Sequence, residues 1–164
     1  MKLFLLRHAE ATYDAPTDQA RQLTPKGERS IAKLCDRLKT KEFSQLAVIY
    51  HSTLVRARQT AELFRDEMQL KTPLQERTGL APMDDPIALG AFLLECKEDA
   101  MLVGHNPHLT MLSAWLLTGS PFTDCIDFKK SGLLCLERIS PPNKARPAGV
   151  WVMRYFITSR AMES

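Results

Sequence analysis

Two histidines and two arginines follow apolar runs of the sequence, each a short distance past the end of its run. Arg7 and His8 come directly after residues 3–6, while Arg56 and His105 follow two later runs of the same kind. Runs of this length and composition are typical of buried strands. Because open α/β sheets bind ligands where the carboxyl ends of their strands meet, we expect the four side chains to share one edge. Two imidazoles beside two guanidinium groups predict a site for an anion such as a phosphoryl group.

Each of these residues has an ordinary structural interpretation when it is taken alone. A lone histidine near a strand end is more often a hydrogen-bonded structural residue than a catalyst. The interpretation changes because three separate segments deliver such residues to strand ends. Arg56 also falls near the start of a predicted helix, close to the positive end of the helix dipole.

The sequence alternates between strand and helix patterns. The runs that predict strands are residues 2–6, 46–50, 100–103, 133–139 and 150–157, and residues 71–75 could form a short third strand in chain order. Repeated strand-helix units favour a sheet that is covered by helices on both faces. We therefore predict an α/β fold: a three-layer α/β/α sandwich with a mostly parallel central sheet, in which the last two runs form a closing pair.

Helix starts are marked by a capping side chain followed by proline. Thr24-Pro25 and Asp85-Pro86 show this pattern, and Asn106-Pro107 repeats it. A further helix is predicted after Ser52, with an apolar face at helical spacing. The polar loop over residues 11–23 is long enough to have a function of its own.

Length and composition limit the possible classes of protein. The 164 residues fit one domain, residues 1–164, and are enough to bury a core without disulfides or metal. The net charge of +3 comes from basic residues that are spread along the chain, which argues against a nucleic-acid surface. No run approaches the roughly 20 apolar residues that span a bilayer, so no membrane partner is expected. The four cysteines form no Cys-x-x-Cys pair, and we expect them to be reduced and buried in a cytoplasmic protein.

Three motifs resemble those of a known superfamily. Leu6-Arg7-His8-Ala9 resembles the Arg-His-Gly signature of the histidine phosphatase superfamily, which includes the cofactor-dependent phosphoglycerate mutases. Residues 52–60 resemble the second block of that superfamily, and Gly104-His105-Asn106-Pro107 resembles its block around the second histidine. The small size and residues 21–27 are similar to the short SixA-type phosphohistidine phosphatases. The resemblance covers residues 2–117 and implies a phosphoglycerate mutase-like fold.

The resemblance also implies a role for each residue of the predicted site. His8 would be the nucleophile that forms a phosphohistidine intermediate, because a neutral imidazole can attack at pH 7 without a strong base. Arg7 and Arg56 would grip the phosphoryl oxygens, and a cationic His105 would add a donor where negative charge develops. Water would then hydrolyse the phosphoenzyme. We expect no cofactor and no metal: His105 and His108 form a His-x-x-His pair, but no third ligand is evident.

The sequence does not show a clear counterpart of the general acid of this superfamily. Other members use a carboxylic acid, in the segment after the third strand, to protonate an oxygen leaving group. Here that segment is residues 76–85, and Gly79 aligns with the carboxylate's place. Glu76 and Asp84 are nearby candidates, but each could equally be an exposed or capping residue. A phosphorylated imidazole needs a dedicated acid less than an alkoxide does, which favours a phosphoramidate substrate.

Two further residues are candidates for binding phosphate. Arg21 follows the catalytic strand at a place where SixA-like sequences have an arginine, so it either touches the phosphoryl group or is a solvated loop residue. Asn106 is a predicted helix cap, and its backbone could also contact phosphate.

Three functions are compatible with these residues. The first is a metal-independent phosphohistidine phosphatase, a hydrolase that acts on a phosphorelay or phosphotransfer protein. The second is a phosphatase of the same chemistry that acts on a small phosphorylated metabolite. The third is a module that binds a phosphorylated partner without turnover; the presence of a nucleophile argues against it, because binding alone does not require one.

Overall fold

The computed structural model describes residues 1–158, in which one six-stranded sheet forms the centre of the molecule. The strands are β1 (Lys2–Arg7), β2 (Leu46–His51), β3 (Leu74–Glu76), β4 (Asp99–Gly104), β5 (Leu133–Ser140) and β6 (Val150–Ile157). The helices are α1 (Pro25–Cys35), α2 (Val55–Glu67), α3 (Pro86–Glu95) and α4 (His108–Thr118), together with a short 3₁₀ helix at Thr40–Phe43.

The strand order is β3-β2-β4-β1-β5-β6. The first four strands are mutually parallel, while β5 runs antiparallel to β1 and β6 antiparallel to β5. The predicted α/β fold is confirmed, and the closing pair forms an antiparallel extension of the parallel part. Strands β2, β4 and β1 lie side by side, so their carboxyl ends meet at the middle of one edge.

Two apolar clusters lie on opposite faces of the sheet and produce the three layers. Successive residues of β1 alternate between them: Phe4 and Leu6 pack with α1 and α2, whereas Leu3 and Leu5 pack with α3 and α4. This alternation follows from the two-residue repeat of a strand. Because both faces are covered, β1 is apolar at every position from 3 to 6, as expected for a parallel strand in the centre of a sheet.

Two of the three predicted helix starts are confirmed. The Thr24 hydroxyl accepts a hydrogen bond from Gly27 N at 3.1 Å, and the Asp85 carboxylate accepts one from Ile87 N at 2.9 Å. The prediction that Asn106 caps a helix is wrong. Helix α4 begins two residues later, and the Asn106 side-chain amide donates instead to the carbonyl oxygen of Phe128 at 3.1 Å. That carbonyl belongs to a distant segment, which local sequence does not reveal.

Two other predictions need correction. The third strand occupies Leu74–Glu76 and starts three residues later than the predicted run. The cysteines are all free thiols, as expected, but they are not all buried: Cys35 and Cys135 lie in the core, Cys96 is half-buried and Cys125 is exposed. Among the described residues, no helix is both long enough and apolar enough to cross a bilayer.

Helix α1 packs closely against the chain that leaves β1. A Cβ atom added at Gly27 would collide with the backbone carbonyl oxygen of Glu10, two residues after His8. The backbone of Glu10 is also held by Thr24, whose N–H donates to the Glu10 carbonyl oxygen at 3.0 Å. The small residue at position 27 therefore lets α1 support the end of the strand that carries His8.

We expect Gly27→Ala to destabilise the protein. Overpacking costs about 1–3 kcal/mol, which exceeds the gain of up to about 1 kcal/mol in helix propensity. Urea denaturation measures the change in the free energy of unfolding. Glu28→Ala, at an exposed position of the same helix, is the control and should change it by less than about 0.5 kcal/mol. A Gly27→Ala variant as stable as the wild type would contradict the close packing.

Candidate active site

The segments after β1, β2 and β4 are joined by main-chain hydrogen bonds. His8 N donates to Gly104 O at 2.9 Å, and Ser52 N donates to Val103 O at 3.1 Å. Thr60 of α2 adds a side-chain link: its hydroxyl accepts from Ala9 N at 3.1 Å and donates to Arg56 O at 2.7 Å. The predicted meeting of three strand ends is therefore present in the fold.

His8 and His105 face each other at this edge. Their ring centroids are 4.9 Å apart, and the residues are 8% and 1% exposed. His8 Nδ1 lies 2.7 Å from the carbonyl oxygen of Ala9. Because a carbonyl oxygen can only accept, Nδ1 carries the proton and Nε2 keeps its lone pair. The side chain thus presents Nε2 in a nucleophilic form.

Ser52 is a site residue that reasoning from the sequence missed. Its hydroxyl lies 2.9 Å from His105 Nε2 and also accepts from Leu54 N at 3.2 Å. With that backbone donor on the oxygen, the hydroxyl proton is available to His105 Nε2, which leaves the imidazole proton on Nδ1. The available signal was its position, since Ser52 comes directly after β2 just as His8 comes directly after β1.

Arg7 is held by the chain segment before β5. Its Nη1 donates to the carbonyl oxygen of Phe128 at 2.7 Å, the same oxygen that accepts from the Asn106 amide. Asn106 therefore neighbours Arg7 through a shared acceptor. Lys130, two residues further on, is near enough to lower the pKa of His8 and adds a cation that the sequence reading missed.

Arg56 is buried, at 4% exposure, and contacts Asp18 of the loop over residues 11–23. Its Nη1 donates to the Asp18 carbonyl oxygen at 2.8 Å and its Nη2 to the Asp18 carboxylate at 3.1 Å. Arg21, a further candidate phosphate ligand, also binds that carboxylate, at 3.0 Å. All three nitrogens of its guanidinium donate within the loop, because Nε bonds to Thr12 O and Nη2 to Ala11 O.

Burial keeps both imidazoles neutral at pH 7. It lowers the pKa of His8 to about 4; the hydrogen bond to Ala9 opposes this, while Arg56, Arg7 and Lys130 lower the pKa further. Burial, followed by His8 and Arg56, lowers the pKa of His105 to about 3. The lowered pKa of His8 agrees with the neutral nucleophile that the sequence predicts. The sequence predicts a cationic His105 during phosphoryl transfer, whereas its pKa here is that of a neutral imidazole, although the charge of Asp18 opposes the shift.

The two candidate acids have other surroundings. Glu76 is exposed at the last position of β3. The Asp84 carboxylate accepts a hydrogen bond from Ala81 N at 2.8 Å and so closes a turn within its own loop. Gly79, at the aligned position of the family carboxylate, has a positive φ of 84° and carries no side chain. The structure therefore does not join either candidate to the histidine pair by a hydrogen bond.

The His-x-x-His pair also divides between two environments. His105 contacts Ser52 and His8. His108 lies instead near the charges of Asp84 and Asp85, which oppose the lowering of its pKa by burial. Within residues 1–158, no group of three or more His, Cys, Asp or Glu side chains is arranged to hold a metal ion.

The model of the histidine phosphatase superfamily, branch 1, matches residues 3–85, a span that contains Arg7, His8 and Arg56. The chain belongs to this superfamily. The match covers the sheet elements β1 to β3 with both helices of one face, and it ends at the cap of α3. The second histidine of the superfamily pattern, His105, lies beyond it.

Known members of the superfamily resemble the chain in sequence and in fold. It is 27% identical to the phosphohistidine phosphatase SixA of Escherichia coli (strain K12) over 123 residues, which cover 73% of this chain and 76% of that protein. Its fold is similar to a structure of the protein histidine phosphatase SixA complexed with tungstate, with a TM-score of 0.80, 22% identity and 98% of each chain covered. A phosphoserine phosphatase from Entamoeba histolytica has a TM-score of 0.66 at 17% identity over 98% of each chain. The phosphoglycerate mutase-like fold is thus confirmed.

We expect the stability of the protein to fall as the pH decreases from about 6.5 towards 4. Below about 6.5 the unfolded chain binds protons at His8 and His105, whereas the folded chain does so only near their pKa values of about 4 and about 3. Each histidine then lowers the free energy of unfolding by up to about 1.4 kcal/mol per pH unit. Urea midpoints at pH 7.0 and 5.0 measure the effect, and a His105→Gln variant should lose less stability between them. Equal losses in both proteins would show that His105 does not titrate in this way.

Proposed function

We propose that the protein is a phosphohistidine phosphatase that acts on a phosphorylated protein, with His8 as the nucleophile. The observation that carries the proposal is a set of buried nitrogens beside His8. Arg7 Nε, Arg56 Nε and His105 Nδ1 have no hydrogen-bond partner among the described residues. A buried donor without a partner costs about 1–3 kcal/mol. The oxygens of a phosphoryl group on His8 would satisfy these donors together.

The first step is attack on phosphorus by His8 Nε2. A bond forms between this nitrogen and phosphorus while the bond from phosphorus to the substrate imidazole breaks, which transfers the phosphoryl group to His8. The neutral ring is suited to this role because its Nδ1 proton is fixed on Ala9. Arg7, Arg56 and Lys130 offset the charge that spreads over the phosphoryl oxygens, which is the main contribution of a protein to this type of reaction.

The second step is hydrolysis of the phosphoenzyme. A water oxygen bonds to phosphorus, the bond to His8 Nε2 breaks, and inorganic phosphate leaves with the water proton passing to phosphate or solvent. His105 is neutral in this structure, but a phosphoryl dianion beside its ring would favour the protonated form. Its Nδ1–H can donate to a phosphoryl oxygen in either state.

The carboxylates near the site favour a nitrogen leaving group. Asp18 is the acid that contacts Arg56, and its hydrogen bond with Arg21, followed by that with Arg56, holds its pKa below the ordinary value. It is therefore ionised at neutral pH and has no proton to give to an alkoxide. A phosphorylated imidazole whose other nitrogen is protonated leaves as neutral imidazole and needs no such acid. The likeness to a relative named phosphohistidine phosphatase supports the same substrate.

A small phosphorylated metabolite is the second candidate substrate. The chain shares its fold with a phosphoserine phosphatase, so the fold itself is compatible with an ester. The surroundings of Glu76 and Asp84 favour the first candidate, since neither carboxylate is bonded to a site residue.

Turnover of a phosphohistidine protein by wild type and His8→Ala tests the proposal. We expect the wild type to release phosphate from a phosphotransfer protein at least 100-fold faster than from phosphoserine or a sugar phosphate, and His8→Ala to be inactive. The wild type should also form a phosphoenzyme that is labile to acid and stable to base. Preference for an ester would support the second candidate, and unchanged turnover in His8→Ala would remove His8 from the mechanism.

Glu76→Gln serves as the matched control for the leaving-group argument. With the phosphohistidine protein as substrate, it should retain wild-type turnover within about twofold, because no proton donor is needed. A loss of ester hydrolysis in this variant would identify Glu76 as an acid after all.

Ser52→Ala should lower kcat with little change in KM. Without the hydroxyl, His105 loses the contact that fixes its Nδ1 proton, and orienting contacts of this kind change rates by about 10-fold or more. Stopped-time phosphate release from the phosphohistidine protein measures the change. Ser44→Ala, at an exposed position after the 3₁₀ helix, is the control; an equal effect of both substitutions would argue against the role of Ser52.

A further inference from the structure

Asp18 contacts the buried guanidinium of Arg56 with two different atoms. The carbonyl oxygen of Asp18 accepts from Nη1 at 2.8 Å, and its carboxylate Oδ2 accepts from Nη2 at 3.1 Å. Arg56 is 5% exposed at its side chain, whereas the Asp18 side chain is 63% exposed. A residue near the surface thus holds both terminal nitrogens of an arginine inside the site.

The position of Asp18 is itself fixed by Arg21. The other carboxylate oxygen, Oδ1, accepts from Arg21 Nη1 at 3.0 Å. Arg21 is braced in turn, since its Nε donates to Thr12 O at 2.7 Å and its guanidinium carbon lies 3.9 Å from the centre of the Tyr13 ring. The aromatic face and the main-chain acceptor together restrict the orientation of the Arg21 guanidinium.

The loop that carries Asp18 is also tied to helix α2, which carries Arg56. Val55 N donates to Gln19 O at 3.1 Å, and Leu23 N donates to the Gln59 side chain at 2.8 Å. The loop is therefore bonded to α2 at two points, both of which follow Asp18 in the sequence. These bonds hold the carboxylate and the carbonyl group of Asp18 in place relative to Arg56.

We propose that Asp18 is a positioning residue that sets the direction of Arg56 toward the phosphoryl group; this rests on the function proposed above. A guanidinium is planar, with five N–H bonds in fixed directions. Fixing Nη1 and Nη2 therefore also fixes the direction of the Nε–H bond, which has no partner among the described residues. Asp18 takes the terminal nitrogens and leaves Nε to the substrate.

The same contacts give Arg21 a different role from the one that the sequence indicated. Its three guanidinium nitrogens donate to the loop, so it supports Asp18 instead of gripping phosphate directly. The order of support runs from Tyr13 and Arg21, through Asp18, to Arg56.

A double-mutant cycle between Asp18 and Arg56 tests the proposal. Asp18→Asn is nearly isosteric and leaves the main-chain acceptor in place, and Asp18→Ala removes the carboxylate altogether. Both should lower kcat/KM for a phosphohistidine protein by between about 10-fold and 100-fold, the loss expected when a binding group is displaced. In an Arg56→Ala background, where there is nothing left to orient, Asp18→Asn should change kcat/KM less than twofold.

Asp14→Asn is the matched control, because Asp14 is an exposed acid of the same loop and its main-chain N–H, not its carboxylate, donates to the Thr12 hydroxyl at 3.0 Å. It should leave kcat/KM unchanged in both backgrounds. An equal loss from Asp18→Asn with and without Arg56 would overturn the proposal in favour of a general effect on the fold. A gain in kcat/KM would overturn it by showing that the carboxylate competes with substrate.

Binding of inorganic phosphate, measured by calorimetry, keeps the test separate from the proposed activity. Asp18→Asn should weaken phosphate binding in the wild-type background and leave it unchanged in the Arg56→Ala background. If the wild type hydrolyses no phosphohistidine but this pattern holds, the proposed substrate is wrong and the role of Asp18 stands. If hydrolysis is normal and Asp18→Asn binds phosphate like the wild type, only the role of Asp18 fails.

Discussion

The hydrogen bond from His8 N to Gly104 O extends the pairing of β1 with β4 past the last residue of β1, and the arrangement of the site depends on it. It places the two histidines next to each other, with their rings 4.9 Å apart. The bond from Ser52 N to Val103 O extends the pairing of β2 with β4 in the same way, on the other side of β4. Since successive side chains of a strand point to opposite faces, the register of β1 against β4 fixes the face to which His8 points.

Burial imposes the second constraint on the site. Charged groups away from water need partners, and the cations obtain them from distant segments: Arg7 from the Phe128 carbonyl and Arg56 from Asp18. The imidazoles respond to the same surroundings by remaining neutral. A buried site in which arginines lie near a neutral imidazole combines two properties that are hard to have together in water, because an exposed imidazole near neutral pH is partly protonated.

The distribution of carboxylates around this site supports the leaving group that we propose. Glu76 and Asp84 occupy the segment where related enzymes have their acid, yet one is exposed and the other closes a turn. Asp18, which does contact the site, is held in its ionised form by two arginines. The contribution that we propose for Asp18 is therefore geometric and electrostatic, and the proposed chemistry depends on a substrate that leaves without an enzyme-derived proton.

Much of the fold could be predicted from the sequence, because apolar periodicity and capping are local properties. The predictable features are the strands, the helix starts at Thr24 and Asp85, and the four candidate site residues Arg7, His8, Arg56 and His105. Asp18, Ser52 and the Phe128 carbonyl could not be predicted, since their partners are distant: Asp18 lies 38 residues from Arg56, and Phe128 lies 121 residues from Arg7. The same limit explains the wrong cap at Asn106, whose amide found an acceptor 22 residues away. The sequence alone thus determined which groups stand at the strand ends. Only the tertiary structure decided what holds them, which protonation state they have and which donors remain for substrate, because these properties depend on burial and on contacts between segments that are remote in the chain.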